Sequence, residues 1–133
     1  MSKGLHEAVA LLPYQWKEEK RMFLSMVEEV PSWGKGRFPN TITGSIGSDE
    51  IPRRAAMRAL TEWSGYDVPA VSFTHLGEVH PYRDSDVRYH LYTCNLGGLT
   101  INGGLAMCEW FKEVDLLEVT LDPLVAHIRV QMG

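Results

Sequence analysis

Gly44-Ser45-Ile46-Gly47-Ser48-Asp49-Glu50-Ile51-Pro52-Arg53-Arg54-Ala55-Ala56-Met57-Arg58-Ala59-Leu60-Thr61-Glu62-Trp63-Ser64-Gly65-Tyr66 is the stretch that decides how this chain is read. It opens, over Gly44 to Asp49, with the polar, glycine-bearing composition of a turn. From about Ile51 to Trp63 the composition becomes that of a helix. Pro52 suits a first helical turn, Ala55, Ala56, Ala59 and Leu60 favour the interior, and Gly65 is a stop signal. Ser48 or Asp49 is placed to cap it. Glu50, Arg54, Arg58 and Glu62 recur in steps of four, which sets them along one slowly drifting helix face. Such a face is either an exposed ion-pair ladder, worth about a few tenths of a kcal/mol per pair, or the wall of a site. The spacing alone leaves both open.

Upstream, His6 to Leu12 reads as a mostly buried strand ended by Pro13. Lys17-Glu18-Glu19-Lys20 reads as a turn, and Arg21 to Val27 as a second strand forming a hairpin with the first. Pro31 to Gly36 is loop-like, and Thr41-Ile42-Thr43 is short and β-prone. Downstream, Ser72 to Tyr82 and Val87 to Asn95 are strand-like runs joined by the turn Arg83-Asp84-Ser85-Asp86. In the second run Arg88, His90, Tyr92 and Cys94 share one face. Gly97-Gly98 and Gly103-Gly104 punctuate a loop with no following Lys-Ser/Thr, so they are turns and not a phosphate-binding P-loop. Glu109 to Val114 predicts a short strand. Asp122-Pro123 opens a last helix whose Leu124, Val125, Ile128 and Met132 form an apolar stripe. Strands, helix, strands, helix is the order of an α/β or α+β fold. The 133 residues are the length of one domain, spanning 1–133.

Composition narrows the function. Thirteen basic against seventeen acidic residues give a net charge of −4, which disfavours a broad basic face for duplex nucleic acid. A small phosphorylated ligand needs only a few local cations or a metal. No apolar run approaches the roughly 20 residues of a membrane helix, and the first residues lack the apolar core of a secretory signal. The two cysteines, Cys94 and Cys108, lack metal-site spacing and read as buried small hydrophobes in a reducing compartment. The expectation is a cytoplasmic protein with no membrane partner.

Gly44, Glu50, Arg58, Leu60, Glu62, Gly65 and loosely Tyr66 fall at the spacing of the Nudix box, Gly-x5-Glu-x7-Arg-Glu-U-x-Glu-Glu-x-Gly-U, where U is a bulky apolar residue. The chain therefore resembles the Nudix (MutT-like) superfamily. Ala55-Ala56 sits where that family commonly has paired alanines, and Glu109-Trp110-Phe111 followed by Glu113-Val114 looks like its late acidic-Trp strand leading into a short helix. The resemblance implies an α/β/α sandwich with a mixed sheet, lying between the box helix and the C-terminal helix. It also implies a hydrolase-like protein using Mg²⁺ or Mn²⁺ on a nucleoside diphosphate linked to another moiety, and a possible homodimer, since many relatives pair.

The box is degenerate. Ala59 and Trp63 replace two of the three glutamates that bind metal in the family, and Ile42-Thr43 replaces its Pro-Gly-Gly lead. Mg²⁺ is a hard ion that wants oxygen ligands; Ala59 offers none, and Trp63 offers a ring and one N–H donor. The residues left for catalysis and metal are Glu62 and Glu50, with Arg58, although the resemblance also implies a structural pairing of Glu50 with Arg58. Glu78, Asp84, Asp86 and Glu109 are candidate extra oxygens. Arg83, Arg88 and His90, together with His75 and His80, are candidates for a cationic rim that binds phosphate. Trp16, Trp33 and Trp110 are candidates to stack on a base. Two functions follow: weak or altered hydrolysis, or a catalytically silent module that binds a nucleotide or a protein partner, with Trp63 filling the metal position.

Overall fold

A computed structural model describes residues 6–29, 37–80, 86–99 and 107–133. Eight strands, three helices and a 3₁₀ turn follow in the order β1 (His6–Leu11), β2 (Tyr14–Lys17), β3 (Lys20–Glu29), β4 (Arg37–Asn40), β5 (Ile42–Ser45), α1 (Pro52–Ser64), the 3₁₀ turn (Ala70–Ser72), β6 (Thr74–Val79), β7 (Val87–Thr93), β8 (Cys108–Lys112), α2 (Glu113–Val119) and α3 (Pro123–Met132). One sheet has the order β5-β1-β7-β6 and is mixed, with β1 parallel to β7 and the other pairs antiparallel. In the second, antiparallel sheet β3 pairs with β2, β4 and β8. The fold is α/β.

The hairpin expected between the first two strands is not formed. β1 is a central strand of the mixed sheet, because Val9, Ala10 and Leu11 are fully buried and need cover on both faces. β3 pairs instead with β2, a four-residue strand that Pro13 separates from β1. Glu18 and Glu19 both take positive φ, 52° and 64°, the conformation that a two-residue hairpin turn demands. The expected hairpin of β6 and β7 does form, with a register shift between His75 and Gly77. The residues of its turn, 81–85, lie outside the described residues, as do 31–36 and Gly103-Gly104.

Two apolar clusters fill the space on either side of the sheets. One packs Val9, Leu11, Leu24, Ile42 and Tyr92 against Ala55, Ala56, Ala59 and Leu60 of α1. The other packs Ala10, Phe23 and Leu91 against Leu116 of α2 and Leu124, Val125 and Ile128 of α3. The apolar stripe of α3 is therefore the face that turns inward. Asp122 caps α3 by accepting from the Leu124 N–H at 2.9 Å. Its other oxygen accepts from the Thr41 N–H and hydroxyl, at 2.9 and 2.7 Å, which ties α3 to the start of β5. Cys94 and Cys108 are free and buried, and burial pushes both thiols up to about 12. No helix among the described residues is long and apolar enough to cross a membrane.

Candidate functional site

α1 starts one residue later than expected and without a side-chain cap. Its N-cap is Ile51, and Pro52 at the first helical position removes one of the N–H groups that would otherwise lack an intrahelical partner. Ser48 and Asp49, expected to cap it, do not, because the helix begins only after Ile51. At the other end Gly65 takes φ 82° and closes the helix by donating to the Thr61 carbonyl at 3.0 Å. Between these ends α1 comes unusually close to β5. A Cβ added at Gly44 would stand 2.9 Å from the Cβ of Ala59, closer than real Cβ contacts allow. Only glycine lets the strand meet the helix here.

That close approach places Arg58 over the end of β5, where its Nη2 donates to the Ser45 carbonyl at 2.6 Å. Arg58 also grips Glu50 with two parallel bonds, Nη2 to Oε1 at 2.9 Å and Nε to Oε2 at 3.1 Å. The Gly47 N–H donates to the same Oε1 at 3.0 Å. Arg58 first, and then the Gly47 amide, hold the Glu50 carboxyl down at about 2. Both Glu50 oxygens are thus committed to closing the loop between β5 and α1. Glu62, one turn on, is more than half exposed, and its Oε1 lies 3.5 Å from Arg58 Nη1. Ala59 is fully buried and offers only a methyl group. Trp63 is half-buried against the core, and its carbonyl accepts from the Met107 N–H and the Cys108 thiol, both at 3.3 Å.

A cleft of about 700 Å³ opens beside this end of α1. Glu7 of β1, Ser45 of β5, Arg58, Glu62 and Trp63 of α1, and Tyr89 of β7 are among its lining residues. On the sheet, the parallel register sets Glu7 beside Arg88 and Val9 beside His90, and Glu78 of β6 lies opposite His90. Arg88 donates to Glu7 Oε1 through Nε at 3.1 Å and, more closely, through Nη2. His90, only 8% exposed, has Nε2 at 3.2 Å from Glu7 Oε1 and Nδ1 at 3.2 Å from Glu78 Oε1. Arg88 Nε lies 3.8 Å from Glu78 Oε1. Arg88 and then His90 hold the Glu7 carboxyl below its ordinary value. Ligand atoms of Glu7, Glu78 and His90 lie within 4.8 Å of one another, and the Arg88 guanidinium is bonded to Oε1 of Glu7 in the same cluster.

The candidates from the sequence thus fall into two groups around α1. Glu50, Arg58 and Glu62 come together on α1 and the loop before it. Arg88 and His90 come together on β7, engaged by carboxylates. Arg83 and Asp84 lie outside the described residues. Asp86 stands 3.6 Å from exposed His6, and Glu109 is half-buried on β8. Trp110 meets Tyr66 edge-on and packs against the core, Trp16 lies under the Arg21 guanidinium on β2, and Trp33 is outside the described residues. Glu7 was not singled out by the sequence. It reads as an ordinary member of a strand, and only the parallel pairing of β1 with β7 brings it beside Arg88.

Solved structures share this architecture. The Nudix domain of Shewanella oneidensis NrtR, solved with ADP ribose, matches with a TM-score of 0.73 at 17% identity, over 100% of this chain and 91% of that one. The C-terminal domain of mouse MUTYH, solved in complex with human PCNA, matches at 0.72 and 14% identity, over 96% and 86%. The Ap4A hydrolase of C. elegans matches at 0.66 and 15% identity, over 96% of each chain. Against a MutT/nudix family protein from Enterococcus faecalis, this chain spans 45% of the other's length. No protein-family model matches the chain, and no curated protein matches it by sequence. The chain has the Nudix fold.

The donor set decides what metal chemistry these residues suit. With Glu50 committed to Arg58, and with Ala59 and Trp63 offering no oxygen, Glu62 is the one box carboxylate left in the cleft. Mg²⁺ is commonly held through one or two carboxylates, completed by water and phosphate oxygens. The residues therefore fit a single ion carried in with a phosphorylated ligand. They do not fit a cluster of ions held by the box alone.

Proposed function

We propose that this chain is a Nudix-type hydrolase-like protein acting on a nucleoside diphosphate linked to another moiety, with one divalent ion and weak turnover. The observation that carries the reading is Glu62, an open carboxylate in a cleft of about 700 Å³ beside the box helix. The neighbours solved with ADP ribose and named as an Ap4A hydrolase support the class of ligand. A bound Mg²⁺ or Mn²⁺ supplies charge neutralisation at phosphorus and acidifies water. Glu62 would hold it. Glu50 locks Arg58 over Ser45, which keeps the strand–loop–helix junction in shape. Arg83, Arg88 and His90 stand as the candidate substrate-side groups, Arg88 and His90 acting through the carboxylates they already hold.

The test is Mg²⁺-dependent release of nucleoside monophosphate from a panel of dinucleotides and nucleotide sugars. Slow, EDTA-sensitive release that falls at least tenfold in Glu62→Gln is expected. Tight ligand binding indifferent to EDTA, without release, contradicts it. That outcome belongs to the second reading, a silent binding module. The half-buried Trp63 at a box-glutamate position favours that reading, as does the complex of the MUTYH domain with a protein partner. A homodimer and the single-domain organisation over 1–133 are further parts of the proposal, checked by light scattering and limited proteolysis.

A further inference from the structure

We propose that Glu7, on β1, supplies to the cleft the carboxylate that positions 59 and 63 of the box helix lack. The inference rests on the hydrolase-like reading and adds a residue from outside the box. Three features of the chain's own geometry carry it. First, Glu7 and Glu62 line the same cleft from different elements, β1 and α1. Second, every described contact to the Glu7 carboxylate is made through Oε1, which takes Arg88 Nε, Arg88 Nη2 and His90 Nε2. Oε2 has no partner among the described residues, so the group is anchored by one oxygen and keeps the other for a ligand. Third, the anchors are themselves fixed. His90 is buried and held from behind by Glu78 at 3.2 Å, and Arg88 lies next to it along β7.

This arrangement answers the chemistry of the deficit. An ion that enters with a diphosphate needs anionic oxygens on the protein side, and Glu62 alone brings one carboxylate. Glu7 brings a second from β1, through the oxygen that Arg88 and His90 leave unbonded. Arg88 and His90 are positioning residues here. They hold the Glu7 carboxylate in one orientation, so that less of its freedom is lost when a ligand binds.

The experiment uses Mn²⁺ as the probe. Free Mn²⁺ is followed by electron paramagnetic resonance during titration of the full chain, with and without a non-hydrolysable nucleoside diphosphate. Wild type is compared with Glu7→Gln, Glu62→Gln and Glu118→Gln, the last on α2 away from this cleft. Native circular dichroism confirms folding of each. Should Glu7→Gln prove unstable, Glu7→Asp keeps the charge while withdrawing it by one methylene. Weakening of at least tenfold in both Glu7 and Glu62 variants, with Glu118→Gln unchanged, is the expected result. Loss in Glu62→Gln with wild-type affinity in the Glu7 variants overturns the role of Glu7 and leaves the hydrolase-like reading standing. Absence of Mn²⁺ binding in wild type, with or without nucleotide, overturns both.

Discussion

Two arginine–glutamate pairs flank one cleft and are built differently. Arg58 meets Glu50 through both carboxylate oxygens, and the Gly47 amide adds a third bond. Arg88 meets Glu7 through a single oxygen, shared with His90. The first pair is closed: it ties the loop before α1 to the middle of α1, with nothing left over. The second is open: it fixes a carboxylate and leaves half of it free. The same two residue types thus serve as a lock in one place and as a mount in the other. What separates them is how many acceptor oxygens the arginine takes. Gly44, Glu50, Arg58 and Gly65 build the junction, whereas Ala59 and Trp63 on the same helix offer an ion no carboxylate.

The junction is most sensitive at Gly44. Gly44→Val places a branched side chain where even a Cβ stands 2.9 Å from Ala59, so β5 and α1 must part and Arg58 loses its seat. A loss of about 1–3 kcal/mol in urea unfolding is expected, by analogy with overpacked cores. Arg58→Ala opens the lock directly. It leaves Glu50 with the Gly47 amide alone and should lower stability by about 1 kcal/mol, the net value of a charged hydrogen-bonded pair at a partly exposed site. Arg88→Ala should show the reverse profile. Its stability loss should be smaller than that of Arg58→Ala, while its Mn²⁺ affinity falls more, because it frees Glu7 to move. Equal profiles for the two arginine variants on both readouts contradict the distinction.

Acid sharpens the same contrast. Glu50 is held at about 2, against an ordinary value of 4.5. A depressed carboxyl contributes stability above its unfolded value, and that contribution disappears as pH falls through the folded one. The lock should therefore weaken between about pH 4.5 and pH 2. Glu50→Gln, less stable than wild type at pH 7, should show a shallower loss across that window in urea midpoints. An acid slope matching that of wild type would show that another carboxylate carries it. Smallest in effect is Glu78→Gln. It touches the mount only through His90 and Arg88, and should leave unfolding unchanged while lowering Mn²⁺ affinity a few-fold.

How much of this was readable beforehand follows the range of the interactions. The helix from Pro52 to Ser64, its stop at Gly65 and the cap of α3 by Asp122 are local, and short-range chemistry announces them. The Glu50–Arg58 pair spans eight residues of turn and helix; the spacing alone left it open, and the resemblance to the Nudix box implied it. The place of β1 was not legible. Its burial signals a strand, but the choice of β5 and β7 as neighbours, one of them parallel, depends on packing far along the chain. Glu7 stayed hidden for the same reason, since its partner Arg88 is 81 residues away. β2 was missed because four residues after a proline carry too little pattern to register as a strand. Arg88 and His90 were legible as sharing a face. That carboxylates from β1 and β6 would occupy them was not.

The position of a bound ion separates the lock from the mount most directly. A crystal soaked with Mn²⁺ and a non-hydrolysable nucleoside diphosphate, with anomalous diffraction recorded at the manganese edge, locates it directly. One peak is predicted, with oxygens of Glu62 and Glu7 on the protein side and Glu50 still bonded to Arg58. Two or more ions held by the helix, or an ion bound through Glu50 with Arg58 displaced, would contradict it.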